Sequence, residues 1–596
     1  MKRGNLEKWS DIVACNNLLF FSQLVNELLF DYSIPSNRIS TLNSHFLCLD
    51  ALSAIEGIDE HGVPEGTLKP IMEELYSEIK KDPVFSATDT PLDFFVKYQK
   101  DKYVICNRVE DMGYQELKSA AVAINDCFFN DNKYFNQLKK QITEIVKGNK
   151  KSDQQTLFRL TKSLLTELMN AGYSLRYLYM MMNRLFWEPK ELIQSNDAID
   201  SFFDAFSFHK NDYNVVFKVQ RSKIETLISY LDGMECAEEL QENVQQVAEK
   251  AFVQKKQGES FLVVSRKAYD PYGAAELAIR LIEMNMSVYR LYDHRFNYNI
   301  ADADCIICDD KNYYKMGRNI KPVEHTKKPS SKEIAEGMDL VNDAIQSIAN
   351  TGNYYDVTSI LNAIRYHYHS LDSYSEENQL LDLWAIFESV LDISNKHTSD
   401  RIQQICMYLV PLLKHRYLYS LFKQLSDDLK TYDEKLFNSI IEGESGESEI
   451  VQRICEFTLL PEYKENREEV LEKCGDFPLL VERINYYCEA LQSPSKVHSF
   501  VEKHAERVRW QIMRIYRNRN LIIHNGSSMP YLSLLIENLH SYVDDFIAYT
   551  IHSLSQKKGI DLMCQELFVK ECKWNASLPR QKDAISREQI KHILSV

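Results

Sequence analysis

The sequence predicts a mainly α-helical protein: an N-terminal helical region, a small α/β unit in the middle, and a helical bundle towards the C-terminal end. Three observations carry that expectation. Glycine and proline are sparse, 18 and 15 in 596 residues, while Leu, Lys, Glu and Ile are abundant, a composition that favours helix over strand. Apolar residues recur at mixed three- and four-residue spacing through most of the chain, which gathers them on one face of a helix. That rhythm breaks near residue 212, where short β-rich runs alternate with helix, and it resumes after a stretch rich in proline and lysine.

The bulk numbers set outer limits. At roughly 100–200 residues per domain, the chain predicts three to five domains or one large multi-lobed body. Its 44% hydrophobic and 26% charged residues are ordinary for a soluble globular protein. A formal net charge of −16 argues against a nucleic-acid coat over the whole surface, so any nucleic-acid contact needs a local basic patch. Thirteen cysteines lie without regular spacing, which reads as reduced thiols in a cytoplasmic protein. The apolar stretch at 18–21 is flanked by Asn16, Asn17, Gln23, Asn26 and Glu27, so no signal-peptide core is expected. No run of about 18 apolar residues exists, and no membrane span is predicted.

Taken in order, residues 1–205 read as a helical region with a candidate sensor or regulatory role, the clearest amphipathic segments being 11–29, 67–81 and 156–170. The Met- and aromatic-rich run at 174–186 reads as packed core rather than a ligand pocket. Residues 206–333 form the α/β unit and its linker. Strands are expected at 214–220, 260–265, 287–292 and 304–309, with helices over 238–255 and from Asp270, where Asp270 caps and Pro271 takes the first helical position. The linker is placed at 320–332. Residues 334–560 are again helical, and 561–596 read as a polar tail with a short helix near 587–594.

Most candidate chemistry in the middle unit is weak. Cys305 and Cys308 lack the second pair that a tetrahedral zinc site requires, and on a strand residues three apart face opposite sides. Asp302, Asp304, Asp309 and Asp310 are acidic enough for a divalent cation but read better as a strand edge. Gly273 near a helix start is a minimal phosphate-cradle signal, without a Walker loop or Gly-x-Gly-x-x-Gly. No metal and no cofactor is expected.

Residues 494–524 are more informative. They read as one long helix with an apolar stripe of Val501, Val508, Ile512, Ile515, Leu521 and Ile522, and Asn525-Gly526 supplies its stop. Lys503, Arg507, Arg509, Arg514, Arg517 and Arg519 make it strongly basic in an acidic chain. Asn520 and His524 are four apart on one face. Arg519 lies roughly 140° around the helix from His524, so its long side chain must curl back to share a phosphate with it. The residue types suit phosphodiester chemistry. A guanidinium grips phosphate oxygens and stabilises transition-state charge, an imidazole moves protons near neutral pH, and an amide holds geometry without charge. RNA carries its own 2′-hydroxyl nucleophile, so cleavage requires no metal.

Arg519-Asn520-Leu521-Ile522-Ile523-His524 resembles the signature of the HEPN superfamily (higher eukaryotes and prokaryotes nucleotide-binding), an Arg and a His separated by four to six residues, often with Asn after the Arg. The bare spacing also occurs at Arg38…His45, Arg318…His325, Arg517…His524 and Arg587…His592. Only Arg519 combines the following Asn, an apolar triplet, a long preceding helix and Asn-Gly after the His. Residues 380–391, Leu-Leu-Asp-Leu-Trp-Ala-Ile-Phe-Glu-Ser-Val-Leu, resemble the opening helix of Apea-like HEPN domains, with Trp384 and Glu388 at the Trp and Glu positions and Val390 in place of the final Leu.

The resemblance covers about 370–555 and implies a bundle of four or five helices whose active site forms where two HEPN domains meet. One good Arg–His set in the chain then implies a homodimer. It further implies an endoribonuclease leaving a 2′,3′-cyclic phosphate and a 5′-hydroxyl, a toxin or abortive-infection effector in anti-phage defence, awaiting an unknown trigger, with tRNA or another cellular RNA as substrate. Arg519, Asn520 and His524 would be catalytic, Glu388 an orienting carboxylate, and Arg514 and Arg517 would hold flanking phosphates. Two other readings stay open: a non-catalytic HEPN module that dimerises or binds nucleotide or RNA, and a helical scaffold in which Arg519 and His524 pair with core carboxylates.

Overall fold

The computed structural model describes residues 3–29, 42–61, 63–85, 90–221, 233–240, 244, 250–295, 300, 304–309, 312–317, 329–351, 354–391, 401–526, 528–529, 531–578 and 582–594. The chain is mainly helical, 71%, with a small antiparallel sheet in the middle. It divides into two compact units: Met1–Glu167 with Ile193–Asn196 and Pro322–Val596, and Leu168–Leu192 with Asp197–Lys321.

The elements run in chain order as α1 (Asn16–Leu28), α2 (Ser44–His61), α3 (Leu68–Ile79), β1 (Val96–Gln99), β2 (Lys102–Ile105), α4 (Tyr114–Ile124), α5 (Lys133–Gly148) and α6 (Gln154–Ala171). In the second unit follow α7 (Leu175–Met182), α8 (Ala198–Asp204), β3 (Asn211–Gln220), β4 (Met234–Ala237), α9 (Lys250–Val253), β5 (Glu259–Ala268), α10 (Pro271–Arg290), β6 (Cys305–Cys308) and β7 (Tyr313–Met316). The first unit resumes with α11 (Ser331–Thr351), α12 (Tyr354–Asp372), α13 (Glu376–Val390), α14 (Arg401–Tyr432), α15 (Glu434–Ile441), α16 (Glu447–Leu459), α17 (Lys464–Lys473), α18 (Pro478–Ala490), α19 (Pro494–Asn525), α20 (Leu532–Ser555), α21 (Ile560–Ser577) and α22 (Arg587–Leu594).

In the first unit the early and late helices share one body. Every residue of α1 is buried, and several of the polar ones are satisfied by hydrogen bonds. The Asn17 amide donates to the carbonyls of Ile145 (3.2 Å) and Lys150 (3.0 Å), and Gln23 donates to that of Arg3 at 2.9 Å. Glu27 receives two bonds from Arg483 of α18, at 2.8 and 2.5 Å. Most of the region 1–205 falls in the same compact unit as residues 322–596. It also holds a hairpin the helical periodicity did not anticipate. Strands β1 and β2 pair around Lys100 and Asp101, both at positive φ (51° and 60°), the backbone that a two-residue hairpin turn demands.

In the second unit the sheet order is β4-β5-β3-β6-β7, each neighbour antiparallel. Because β5 and β6 both oppose β3, they run parallel to one another, and α10 connects them across it. Alternate residues of each strand reach opposite faces. Val215, Phe217, Leu262, Val264, Cys305 and Ile307 pack with Ala274, Ala278 and Ile282 of α10. Val216, Phe261, Ile306 and Cys308 pack on the other side with Leu240 and Val244. Tyr177 and Met180, from the Met- and aromatic-rich run, pack against the first cluster, as core should.

Several expectations are corrected here. The strand placed at 287–292 is instead the end of α10 and the turn after it. No glycine or proline follows Gly273 to stop that helix, so it propagates through the β-prone residues and leaves Leu291 and Tyr292 exposed. The strand at 304–309 is shorter, Cys305–Cys308, and β4 and β7 were not anticipated. The tail at 561–596 is largely α21 and α22, with Leu567, Trp574, Ile590 and Ile593 buried; its polar residues are the outer faces of packed helices. Of the helix expected over 238–255, Val244 and Lys250–Val253 are helical, residues 238–240 and 254–255 are not, and the rest lies outside the described residues, as do most of the linker at 320–332 and Asp302 and Asp310.

Candidate functional site

The site is built on α13, α19 and the residue that opens α14. Ser493 caps α19, its hydroxyl accepting from the Lys496 amide at 3.4 Å, and Pro494 takes the first position. The helix runs 32 residues and stops at Gly526, whose φ of 62° is the left-handed conformation of a C-terminal cap. Val497, Val501, Ala505, Val508, Ile512 and Ile515 are buried. Beyond Tyr516 the burial fades: Leu521 and Ile522 are half-buried, Ile523 is 48% exposed and His524 is exposed. The last turns of a core helix thus emerge carrying Arg519, Asn520 and His524.

Arg519 is held from two sides. One Nη donates to Asn520 Oδ1 at 3.1 Å, and the other lies 3.6 Å from Glu388 Oε1 on α13. Glu388 Oε1 also accepts from Trp384 Nε1 at 3.0 Å and lies 3.7 Å from Arg401. Trp384, one turn earlier on α13, is buried edge-on against Phe387 and beside Tyr516 of α19. A packed indole therefore fixes the carboxylate that faces Arg519. Ser375 caps α13, accepting from the Asn378 amide at 3.3 Å, which sets the start of that helix. Among the described residues, His524 makes no hydrogen bond or ion pair. It follows Arg519 by five positions, about 7.5 Å along the axis and 140° around it.

The other basic residues of α19 divide in two. Lys503, Arg507 and Arg509 are exposed. Arg514 and Arg517, expected to hold flanking phosphates, are committed elsewhere. Arg514 is buried and paired with Glu74 of α3, with Gln511 Oε1 at 2.5 Å and Asp50 of α2 at 4.0 Å. Arg517 pairs with Asp50 at 2.5 Å, and the other oxygen of Asp50 accepts from Tyr531 at 2.9 Å. Burial pushes the Glu74 carboxyl up, and Arg514 opposes that shift. Asp50 and Glu74 in this network, and Arg401 beside Glu388, were not singled out from the sequence. The first two stand more than 400 residues before their partners, and nothing local in the sequence links them.

The weaker sequence candidates resolve plainly. Cys305 and Cys308 are buried on opposite faces of the sheet, and burial pushes the Cys305 thiol up to about 12; they do not converge. The Gly273 amide, the candidate phosphate donor, donates to Asp270 Oδ1 at 2.8 Å. Asp270 is fully buried and also accepts from the Ser174 amide and hydroxyl, each at 2.7 Å, so the start of α10 is closed by its own cap. Asp309 accepts from the Asn312 amide at 2.6 Å in the turn before β7.

No described helix is long and apolar enough to cross a membrane. No family model matches the chain, and no curated protein or solved structure matches it.

Proposed function

We propose that this chain is a metal-independent endoribonuclease of the HEPN kind, acting as a homodimer. The observation that carries the reading is the end of α19, where Arg519 is held between Asn520 and Glu388 and an exposed imidazole, His524, follows five residues on. In this reading Arg519 binds the non-bridging oxygens of the scissile phosphate. The 2′-oxygen forms a bond to phosphorus as the bond to the 5′-oxygen breaks. His524 takes the proton of the 2′-hydroxyl, and the same residue of a second copy supplies one to the leaving 5′-oxygen. The products are a 2′,3′-cyclic phosphate and a 5′-hydroxyl. Asn520 and Glu388 position the guanidinium.

Leu521, Ile522 and Ile523 give this end of α19 an incompletely covered apolar edge beside the imidazole, suited to a second copy of the chain. Lys503, Arg507 and Arg509, exposed on the same helix, take over the backbone-contact role from Arg514 and Arg517. The substrate is RNA, tRNA or another cellular RNA, and the defence role, with activity held until a trigger arrives, follows from the resemblance alone. One observation favours the alternative of a non-catalytic dimerisation or RNA-binding module: Glu388 lies close enough to Arg519 to compete with a phosphate.

The test is cleavage of total RNA and tRNA in excess chelator by the wild type and by His524→Ala, with circular dichroism in the same buffer. Chelator-resistant cutting that disappears in a folded His524→Ala protein supports the enzyme. Cutting by both removes His524 from the mechanism. Binding of RNA without cutting, and no toxicity in cells, selects the module.

A further inference from the structure

A second constellation joins two helices of the first unit through side chains that the nuclease reading does not use. His367 stands on α12, and His540 and Asp544 stand one turn apart on the same face of α20. One potential ligand atom from each lies within 4.8 Å of the other two. His367 Nε2 is 3.1 Å from His540 Nε2 and 3.4 Å from Asp544 Oδ1. The two rings stack nearly parallel, with planes 20° apart and centroids at 5.2 Å. Asp544 Oδ2 lies 3.7 Å from His540 Nδ1. Asp545, the next residue, pairs with Arg416 at 3.3 Å instead.

Two imidazole nitrogens at 3.1 Å suit a shared proton or a shared cation. Three features favour the cation. Bonds of 2.0–2.1 Å at a tetrahedral zinc place neighbouring ligand atoms about 3.3 Å apart, close to both short separations here. The donor set, two imidazoles and a carboxylate, is one that zinc accepts and that calcium or magnesium does not select. The burial is graded: His540 is buried, whereas His367 and Asp544 are partly exposed, so the cluster opens towards solvent on the side of those two residues.

We propose that His367, His540 and Asp544 form a binding site for a divalent transition metal, zinc by its chemistry, tying α12 to α20. Helix α20 packs against α13 and α19, so the cation stabilises the bundle that carries Glu388 and Arg519. This inference does not rest on the nuclease reading, and its readouts are metal content and stability rather than cleavage.

The experiment uses the full chain, stripped with chelator, dialysed and titrated with zinc sulfate alone. The wild type is expected to retain one zinc per chain by elemental analysis, to melt at a higher temperature with zinc than without, and to give the visible absorption of a tetrahedral site with cobalt(II). Removing a group that merely hydrogen-bonds to a metal ligand already costs about 10–100-fold in affinity, so removing a ligand itself is expected to weaken zinc binding by more than about a hundredfold. His367→Ala and Asp544→Asn, both at partly exposed positions, test this without opening the core, and circular dichroism checks their fold. A folded wild type that binds no zinc overturns the proposal. So does zinc that binds the two variants as tightly as the wild type.

Discussion

Two neighbouring stretches of helix α19 carry the same residue type in different employment. Arg514 is buried, and its guanidinium is spent on Glu74, Gln511 and Asp50. Arg519, five residues on, sits where the helix leaves the core and keeps a longer contact, 3.6 Å, with Glu388. The first arginine welds α19 to α2 and α3; the second is half-buried and shared between Asn520 and Glu388. The same guanidinium thus holds a different set of partners according to what stands across from it.

The comparison breaks most sharply at His524. In the nuclease reading, His524→Ala lowers RNA cleavage by about 10²–10⁴-fold while the melting temperature stays unchanged, since the side chain is exposed; single-turnover cleavage alongside a thermal melt checks both. At the buried end the effect inverts. Arg514→Met leaves Glu74 and Asp50 facing an apolar side chain, and breaking a buried pair in this way costs about 3–5 kcal/mol, readable in denaturant unfolding. Any RNA affinity of the folded protein should keep its salt dependence. A shallower salt dependence would return Arg514 to the RNA surface.

Glu388→Gln sharpens the middle ground. The amide oxygen can still accept from Trp384, but the charge facing Arg519 is gone. A positioning role predicts about a tenfold fall in kcat with little change in KM. A rise in RNA affinity without cleavage would favour the binding module. Smaller still is the effect of each exposed cation: Lys503→Ala or Arg507→Ala should lower the slope of log affinity against log salt by about 0.7–0.9 for each phosphate that the side chain had neutralised.

His504, on the buried stretch of α19, adds a pH signature. It stacks on Tyr417 of α14 with centroids 3.6 Å apart and planes 6° apart. Burial, with help from Arg507, pushes its pKa down to about 3. In the unfolded chain it titrates near about 6.5. Its contribution to stability is therefore complete above about pH 6.5 and is lost as pH falls below that value, because the unfolded state binds the proton first. Melting temperatures measured from neutral to mildly acid pH should decline in the wild type and decline less in His504→Phe. Equal declines would place the acid sensitivity elsewhere.

The sequence alone was enough for whatever is decided locally. The span of α19 follows from Pro494 at its start and Asn525-Gly526 at its end, because caps and stops act within one turn. The cap at Asp270, and the opposite facing of Cys305 and Cys308, follow from helix and strand geometry over a few residues. The placement of Arg519, Asn520 and His524 near the end of one helix was legible for the same reason. Tertiary structure decided everything that depends on a partner far along the chain: that Arg514 and Arg517 belong to Asp50 and Glu74, that Glu388 faces Arg519, and that His367 meets His540 and Asp544. Periodicity reports which face of a helix is apolar. It does not report which other helix arrives to cover that face, and the charges on the arriving helix settle which residues remain available for chemistry.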